Sequence, residues 1–161
     1  MLRKIITALL LLFCGASANA SLKVGDLAPA FDFEDFSLTK AKGKIVVLYF
    51  YPKDNTSQCT VEAQQFAARH QEFTDLGADI VGVSTDDKVS HKKFKEKNQL
   101  PFALLSGDKK LTTEYGVSGL LWTDRVTFLI DREGKIAYIW HKVDVSKHAK
   151  VVLDKIKELA L

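Results

Sequence analysis

Cysteine is scarce in this chain: 161 residues hold two, Cys14 and Cys59. Proline is equally thin, with Pro29, Pro52 and Pro101 alone. Charge of one sign is not in large excess either, at 23 Lys and Arg against 20 Asp and Glu, and without Arg3 and Lys4 the balance is close to neutral. That argues against nucleic acid or an anionic membrane as the main partner. There is no Gly-rich phosphate loop, no internal repeat and no low-complexity tract. His70, His91, His141 and His148 lack the close spacing of a metal site, so neither a metal nor another cofactor is expected.

What the chain does have begins at its N-terminus. Arg3 and Lys4 precede the apolar run Ile5 to Phe13, and Ala18-Asn19-Ala20 supplies small residues before Ser21. This is the pattern of a secretory signal peptide over residues 1–20. The apolar run is too short to span a bilayer comfortably, so no membrane association is expected after cleavage. Cys14 raises a lipoprotein alternative, but Phe13 is bulky where such a site wants a small residue. Cleavage leaves residues 21–161 as one domain with Cys59 as its sole thiol, which excludes an internal disulfide. Export of this kind points to the bacterial periplasm. A lone thiol in an oxidising compartment is reactive, paired between chains, or buried and inert.

The central stretch runs from Tyr49 to Glu62. An apolar strand, Ile45 to Tyr51, enters a polar loop, and Cys59 sits where the loop becomes a helix read as Thr60 to Leu76, with Gly77 fit for the left-handed cap. Unpaired N–H groups at a helix start favour an anion, and the thiolate is the reactive form of cysteine. Pro52 stiffens the loop entrance, and Thr56 offers a hydroxyl three residues before the thiol. The spacing Pro-x3-Thr-x2-Cys resembles the active-site motif of peroxiredoxins, and Tyr49 to Glu62 looks most like the bacterioferritin comigratory protein, or peroxiredoxin Q, branch of the AhpC/TSA superfamily.

Elsewhere the pattern reads as alternating strands and helices. Phe31 and Phe33 suggest a short strand or hairpin, with Asp32, Glu34 and Asp35 as a solvated face. Asp79 to Ser84 forms a parallel βαβ unit with Ile45 to Tyr51. Lys88 to Asn98 is a lysine-rich surface helix, Phe102 to Leu105 a strand, and Asp108 to Tyr115 a short helix. Arg125 to Ile130 and Lys135 to Trp140 flank Asp131-Arg132-Glu133-Gly134 as a hairpin. A last helix over about Lys147 to Ala160 turns Val151, Val152, Ile156 and Leu159 inwards. Leu120, Leu121 and Trp122 are either an exposed partner patch or core. This order resembles an α/β thioredoxin-like fold, a central mixed sheet flanked by helices with peroxiredoxin-type additions.

If the strand opened by Arg125 runs antiparallel to Ile45 to Tyr51, Arg125 faces Cys59 at the carboxyl edge of the sheet. The alternative is a surface arginine paired with Asp124 or Asp144. The segment Arg125 to Asp131 also resembles the family's, in which an arginine opens this strand. The resemblance then implies a thiol-dependent peroxidase reducing hydrogen peroxide and organic hydroperoxides. Cys59 attacks the peroxide and becomes a sulfenic acid, Thr56 and Arg125 hold the peroxide, and Pro52 limits water. Glu62 either orients Arg125 or the loop, or is an ordinary glutamate of the first turn. Many relatives carry a resolving cysteine five residues on, where this chain has Gln64, so a one-Cys enzyme is implied. Its reductant would be a thioredoxin-like or glutaredoxin-like protein or a small thiol, and the protein a monomer or weak homodimer. Two other readings share the thiol: a redox sensor or mixed-disulfide binding module, and a thioredoxin-like thiol-disulfide oxidoreductase. The latter wants Cys-x-x-Cys, and Thr56 stands in the first place.

Overall fold

A computed structural model describes residues 21–161; residues 1–20, on which the signal-peptide expectation and Cys14 fall, lie outside the described residues. The fold is built on β1 (Ile45–Phe50), whose six residues are all buried. A strand so apolar and β-branched needs cover on both faces and neighbours on both edges. It has them in a five-stranded mixed sheet ordered β3-β2-β1-β4-β5, with β2 (Ala78–Ser84), β3 (Ala103–Ser106), β4 (Val126–Ile130) and β5 (Ile136–Trp140). β1 runs parallel to β2 and antiparallel to β4. The expected α/β thioredoxin-like architecture is therefore present.

Side chains of β1 alternate between two cores. Ile45, Val47 and Tyr49 pack with α1 (Ser57–Ala68), α2 (His70–Asp75), α3 (Lys88–Asn98) and α5 (His148–Glu158). Val46, Leu48 and Phe50 pack on the other face with Phe31, Leu38 and α4 (Lys109–Glu114). Gly82 of β2 pairs with Tyr49, and a methyl group there would lie 2.7 Å from the tyrosine oxygen, so the missing side chain makes room for the ring.

Several elements depart from the sequence reading. The helix expected over Thr60 to Leu76 starts at Ser57 and breaks at Arg69, whose backbone leaves helical values (φ −111°, ψ 10°) before α2 resumes. Gly77 does take the left-handed conformation at φ 69°. The Phe31–Phe33 segment takes the hairpin alternative: Asp32 makes an isolated antiparallel bridge to Ser37, Phe33 N–H donates to Phe36 C=O and Leu38 N–H to Phe31 C=O, both at 3.0 Å. In α5 the inward residues are Ala149, Val152, Leu153 and Ile156, while Val151 and Leu159 are exposed. The i, i+3, i+4, i+7 stripe starting at Ala149 leaves Val151 on the outer side of the helix.

Candidate active site

The chain leaves the sheet at the carboxyl end of β1, where the Tyr51 amide still bonds to Val83 C=O at 3.0 Å. It turns through Asn55, a non-glycine residue at φ 58°, and enters α1 after an extended Thr56. The first helical hydrogen bond joins Thr60 N–H to Thr56 C=O at 2.9 Å. The amides of Ser57, Gln58 and Cys59 therefore have no carbonyl of their own helix to bond, and their partial positive charge lies in the turn that carries the thiol. Cys59 lies inside the first turn, not before it, and is 2% exposed. The exposed Thr56 hydroxyl donates to Lys53 C=O at 3.2 Å, tightening the loop instead of capping the helix.

Arg125 arrives from the other side of β1. Antiparallel pairing sets Val126 opposite Phe50, so the preceding arginine stands at the edge where the Cys59 loop emerges. Its Nη2 donates to Cys59 Sγ at 3.2 Å. Its Nη1 donates to Glu62 Oε2, so the partner is neither Asp124 nor Asp144. Glu62 is fully buried and one turn beyond Cys59 on the same helix face, so a single guanidinium bridges both. It is not a solvated first-turn glutamate. Burial pushes its carboxyl up to about 7, against the opposing pull of Arg125. Burial disfavours the charge of Arg125, but Glu62 and Cys59 outweigh this and raise its value.

Behind this triad lie two residues that sequence reasoning did not single out. His148 Nε2 is 2.8 Å from Thr127 Oγ1 and 4.0 Å from Glu62 Oε1, which has no hydrogen-bond partner. Burial, and then Arg125, lower the imidazole to about 4, so it is neutral at neutral pH. Thr127 is the one polar residue of the buried strand β4, and that interruption was the available signal.

A pH dependence follows from Glu62. A carboxyl whose folded value exceeds its unfolded one contributes stability that is complete below the unfolded value, near 4.5, and is lost as pH rises through about 7. His148 acts in the opposite sense, losing stability as pH falls from 6.5 towards 4, but it is common to wild type and Glu62→Gln. The stability advantage of wild type over Glu62→Gln is therefore expected to shrink between pH 4.5 and 7, measured by denaturant titration at successive pH values. A constant difference would mean that Glu62 is ionised throughout.

Around the mouth, Pro52 and Arg125 line an open cavity of about 350 Å³ with Leu120, Leu121 and Trp122. Those three residues form an exposed patch and not core, Leu120 being 99% exposed. Lys53 Nζ lies 5.9 Å from the Trp122 ring, steadying one side of the patch. Of the residues picked out in sequence, Arg125 joins Cys59 to Glu62, Pro52 lines the cavity at the mouth, and Thr56 is exposed and bonded to Lys53 of its own loop. Gln64, five residues after Cys59, bonds to Asn98 at 3.0 Å and ties α1 to α3.

Comparison with known proteins places this arrangement in context. Residues 20–139 match the AhpC/TSA family. The chain is 40% identical over 154 residues to peroxiredoxin Bcp of Bacillus subtilis, covering 87% of this chain and 98% of that protein. Among solved structures, the bacterioferritin comigratory protein of Xanthomonas campestris, described with its alkyl peroxide reduction activity, superposes with a TM-score of 0.74 at 38% identity, covering 78% and 86% of the two chains. A PrxQ variant from Xylella fastidiosa gives 0.80 at 29% identity, covering 88% and 99%.

Proposed function

Because the chain belongs to the AhpC/TSA family and is a thiol-dependent peroxidase of the peroxiredoxin Q kind, we propose that Cys59 is its peroxide-reacting residue, held as a thiolate by Arg125. The observation that carries this reading is the 3.2 Å contact of the guanidinium with a buried sulfur in the first turn of a helix. The thiolate attacks the terminal oxygen of R–O–O–H. An S–O bond forms, the O–O bond breaks, and the leaving alkoxide takes a proton to become an alcohol, or water when the substrate is hydrogen peroxide. Arg125 and the first-turn amides stabilise the charge moving to the leaving oxygen, and Pro52 narrows the approach. Thr56 orients the peroxide from the loop. Glu62 positions Arg125.

Both hydrogen peroxide and organic hydroperoxides are substrates in this reading. Support for the organic class comes from the alkyl peroxide activity of the X. campestris protein and the apolar wall beside Arg125. The arrangement of Arg3, Lys4, the apolar run and Ala18-Asn19-Ala20 supports export to the periplasm with cleavage before Ser21. The exported enzyme then keeps Cys59 alone, and an external thiol, small or on a thioredoxin-like or glutaredoxin-like protein, must reduce its sulfenic acid. The test is a single turnover of the reduced chain with hydrogen peroxide and with cumene hydroperoxide, following loss of the thiol against free cysteine. Loss orders of magnitude faster than free cysteine supports the assignment; equal rates would remove it. Protein sequencing of a periplasmic fraction tests cleavage at Ser21.

A further inference from the structure

A second buried network holds the Cys59 loop without touching the sulfur. Asp54, 5% exposed, lies five residues before Cys59. Its carboxylate accepts hydrogen bonds from Tyr51 Oη and from Ser90 Oγ, both at 2.7 Å, and His91 Nδ1 lies 2.9 Å from Oδ2. The Asp54 amide donates to Asp86 Oδ2 at 2.8 Å, and that same oxygen accepts from Ser84 Oγ at 2.8 Å. The end of β1, the end of β2 and the first turns of α3 thus converge on one loop residue. Burial pushes the Asp54 carboxyl up, but the bonds from His91, Ser90 and Tyr51 outweigh it and hold the group below its ordinary value.

Two features of this network are unfavourable in themselves. His91 is buried at 4% exposure, yet among the described residues its Nε2 has no partner, and an unpaired buried polar atom lowers stability. The next loop residue, Asn55, is held in the left-handed region at φ 58°. A phenylalanine at position 91 could pack beside Tyr51 as the imidazole does, ring centroids 6.4 Å apart, without an orphan nitrogen, so the imidazole is better explained by its bond to Asp54 than by packing.

The two halves of the reaction ask opposite things of this loop. A hydroperoxide has only to bring one small oxygen to Sγ, with the helix turn and Arg125 in place. The reducing thiol must bring a sulfur and the molecule that carries it to within about 2.05 Å of Sγ, which at 2% exposure is covered. In that second step an S–S bond forms as the S–O bond breaks, and the departing hydroxide takes a proton to leave as water. Among the described residues no second cysteine can do this from within.

We propose that Asp54 and His91 are positioning residues that clamp the Cys59 loop closed, and so set the partition between peroxide reaction in the closed state and thiol reaction in the open state. The inference rests on the assignment of Cys59 as the peroxide-reacting thiol. In Asp54→Asn, reaction of the reduced enzyme with hydrogen peroxide is expected to slow by roughly tenfold, the loss of one charge-assisted hydrogen bond. Reduction of the pre-formed sulfenic acid by dithiothreitol is expected to accelerate in the same variant. His91→Phe should behave likewise, and His91→Asn, whose amide can still donate to Asp54, should return both rates towards wild type. Opposite movement of the two rates is the decisive reading, since a general loss of packing has no reason to be rescued by asparagine. Equal slowing of both steps, or no change in either, would overturn the clamp. A wild type no faster than free cysteine would overturn the Cys59 assignment itself, and the clamp with it. If Asp54→Asn does not fold, the His91→Phe and His91→Asn pair decides by the same criteria.

Discussion

Cys59→Ser is expected to abolish peroxide turnover, lowering the rate by about 10⁴-fold or more, since a serine hydroxyl is not ionised at neutral pH and nothing here acts as a general base for it. The fold should survive. Serine is smaller than cysteine and leaves only a small gap, and the hydroxyl can still accept the hydrogen bond that Arg125 Nη2 gives to Sγ. The check is peroxide consumption with excess dithiothreitol, beside a denaturation curve that shows the variant folded. Residual turnover within tenfold of wild type would move the chemistry elsewhere. Cys14 is the other cysteine of the 161-residue sequence, so the same assay on the chain beginning at Ser21 would identify the source.

Arg125→Ala is expected to slow the peroxide reaction by about 10²- to 10³-fold, the range found when a pre-organised donor to a developing negative charge is removed. Competing contributions are smaller. A helix terminus contributes about 0.3–1 kcal/mol and at most ~2, whereas a guanidinium about 4 Å from a thiolate is worth about 4 kcal/mol at an effective dielectric of 20, before desolvation is subtracted. The rate of Cys59 alkylation at neutral pH should therefore fall in Arg125→Ala, and by more than for any substitution in the first turn of α1. An unchanged rate would refute the role. The variant carries a complication that is itself informative. Removing the arginine takes away the pull that opposes burial, so the Glu62 carboxyl moves further up and must hold a proton to stay in the core, at a cost that grows as pH rises. Arg125→Ala combined with Glu62→Gln replaces that acid by a neutral amide, so at neutral pH and above the double variant should recover stability while remaining slow with peroxide.

Much of the architecture was legible because it is encoded locally. A continuous apolar run such as Ile45 to Tyr51 reads as a covered strand wherever it stands, and the structure ends that strand one residue earlier, while the limits of α3, Lys88–Asn98, follow from short-range signals alone. Cys59 at a strand-to-helix junction and Arg125 at the start of a strand were also visible, since each is defined by its immediate neighbours. Where the reading slipped, a small imbalance decided. The break at Arg69 and the rotation of α5 that exposes Val151 depend on which side chains the sheet can accept, and helical spacing by itself does not choose among adjacent apolar residues.

The sequence by itself determined the elements, their order, and the thiol, hydroxyl and arginine that stand at their ends. Tertiary structure alone decided which charges meet. Glu62 finds Arg125 across 63 residues and Asp54 finds His91 across 37, and no local pattern marks either pair. Both pairings follow from the strand order β3-β2-β1-β4-β5, with β4 antiparallel on one edge of β1 and the α3 crossover on the other. Burial does the rest. A glutamate, an aspartate and two histidines become functional candidates once water is excluded, because in a low-dielectric interior an ionisable group must find a partner or give up its charge.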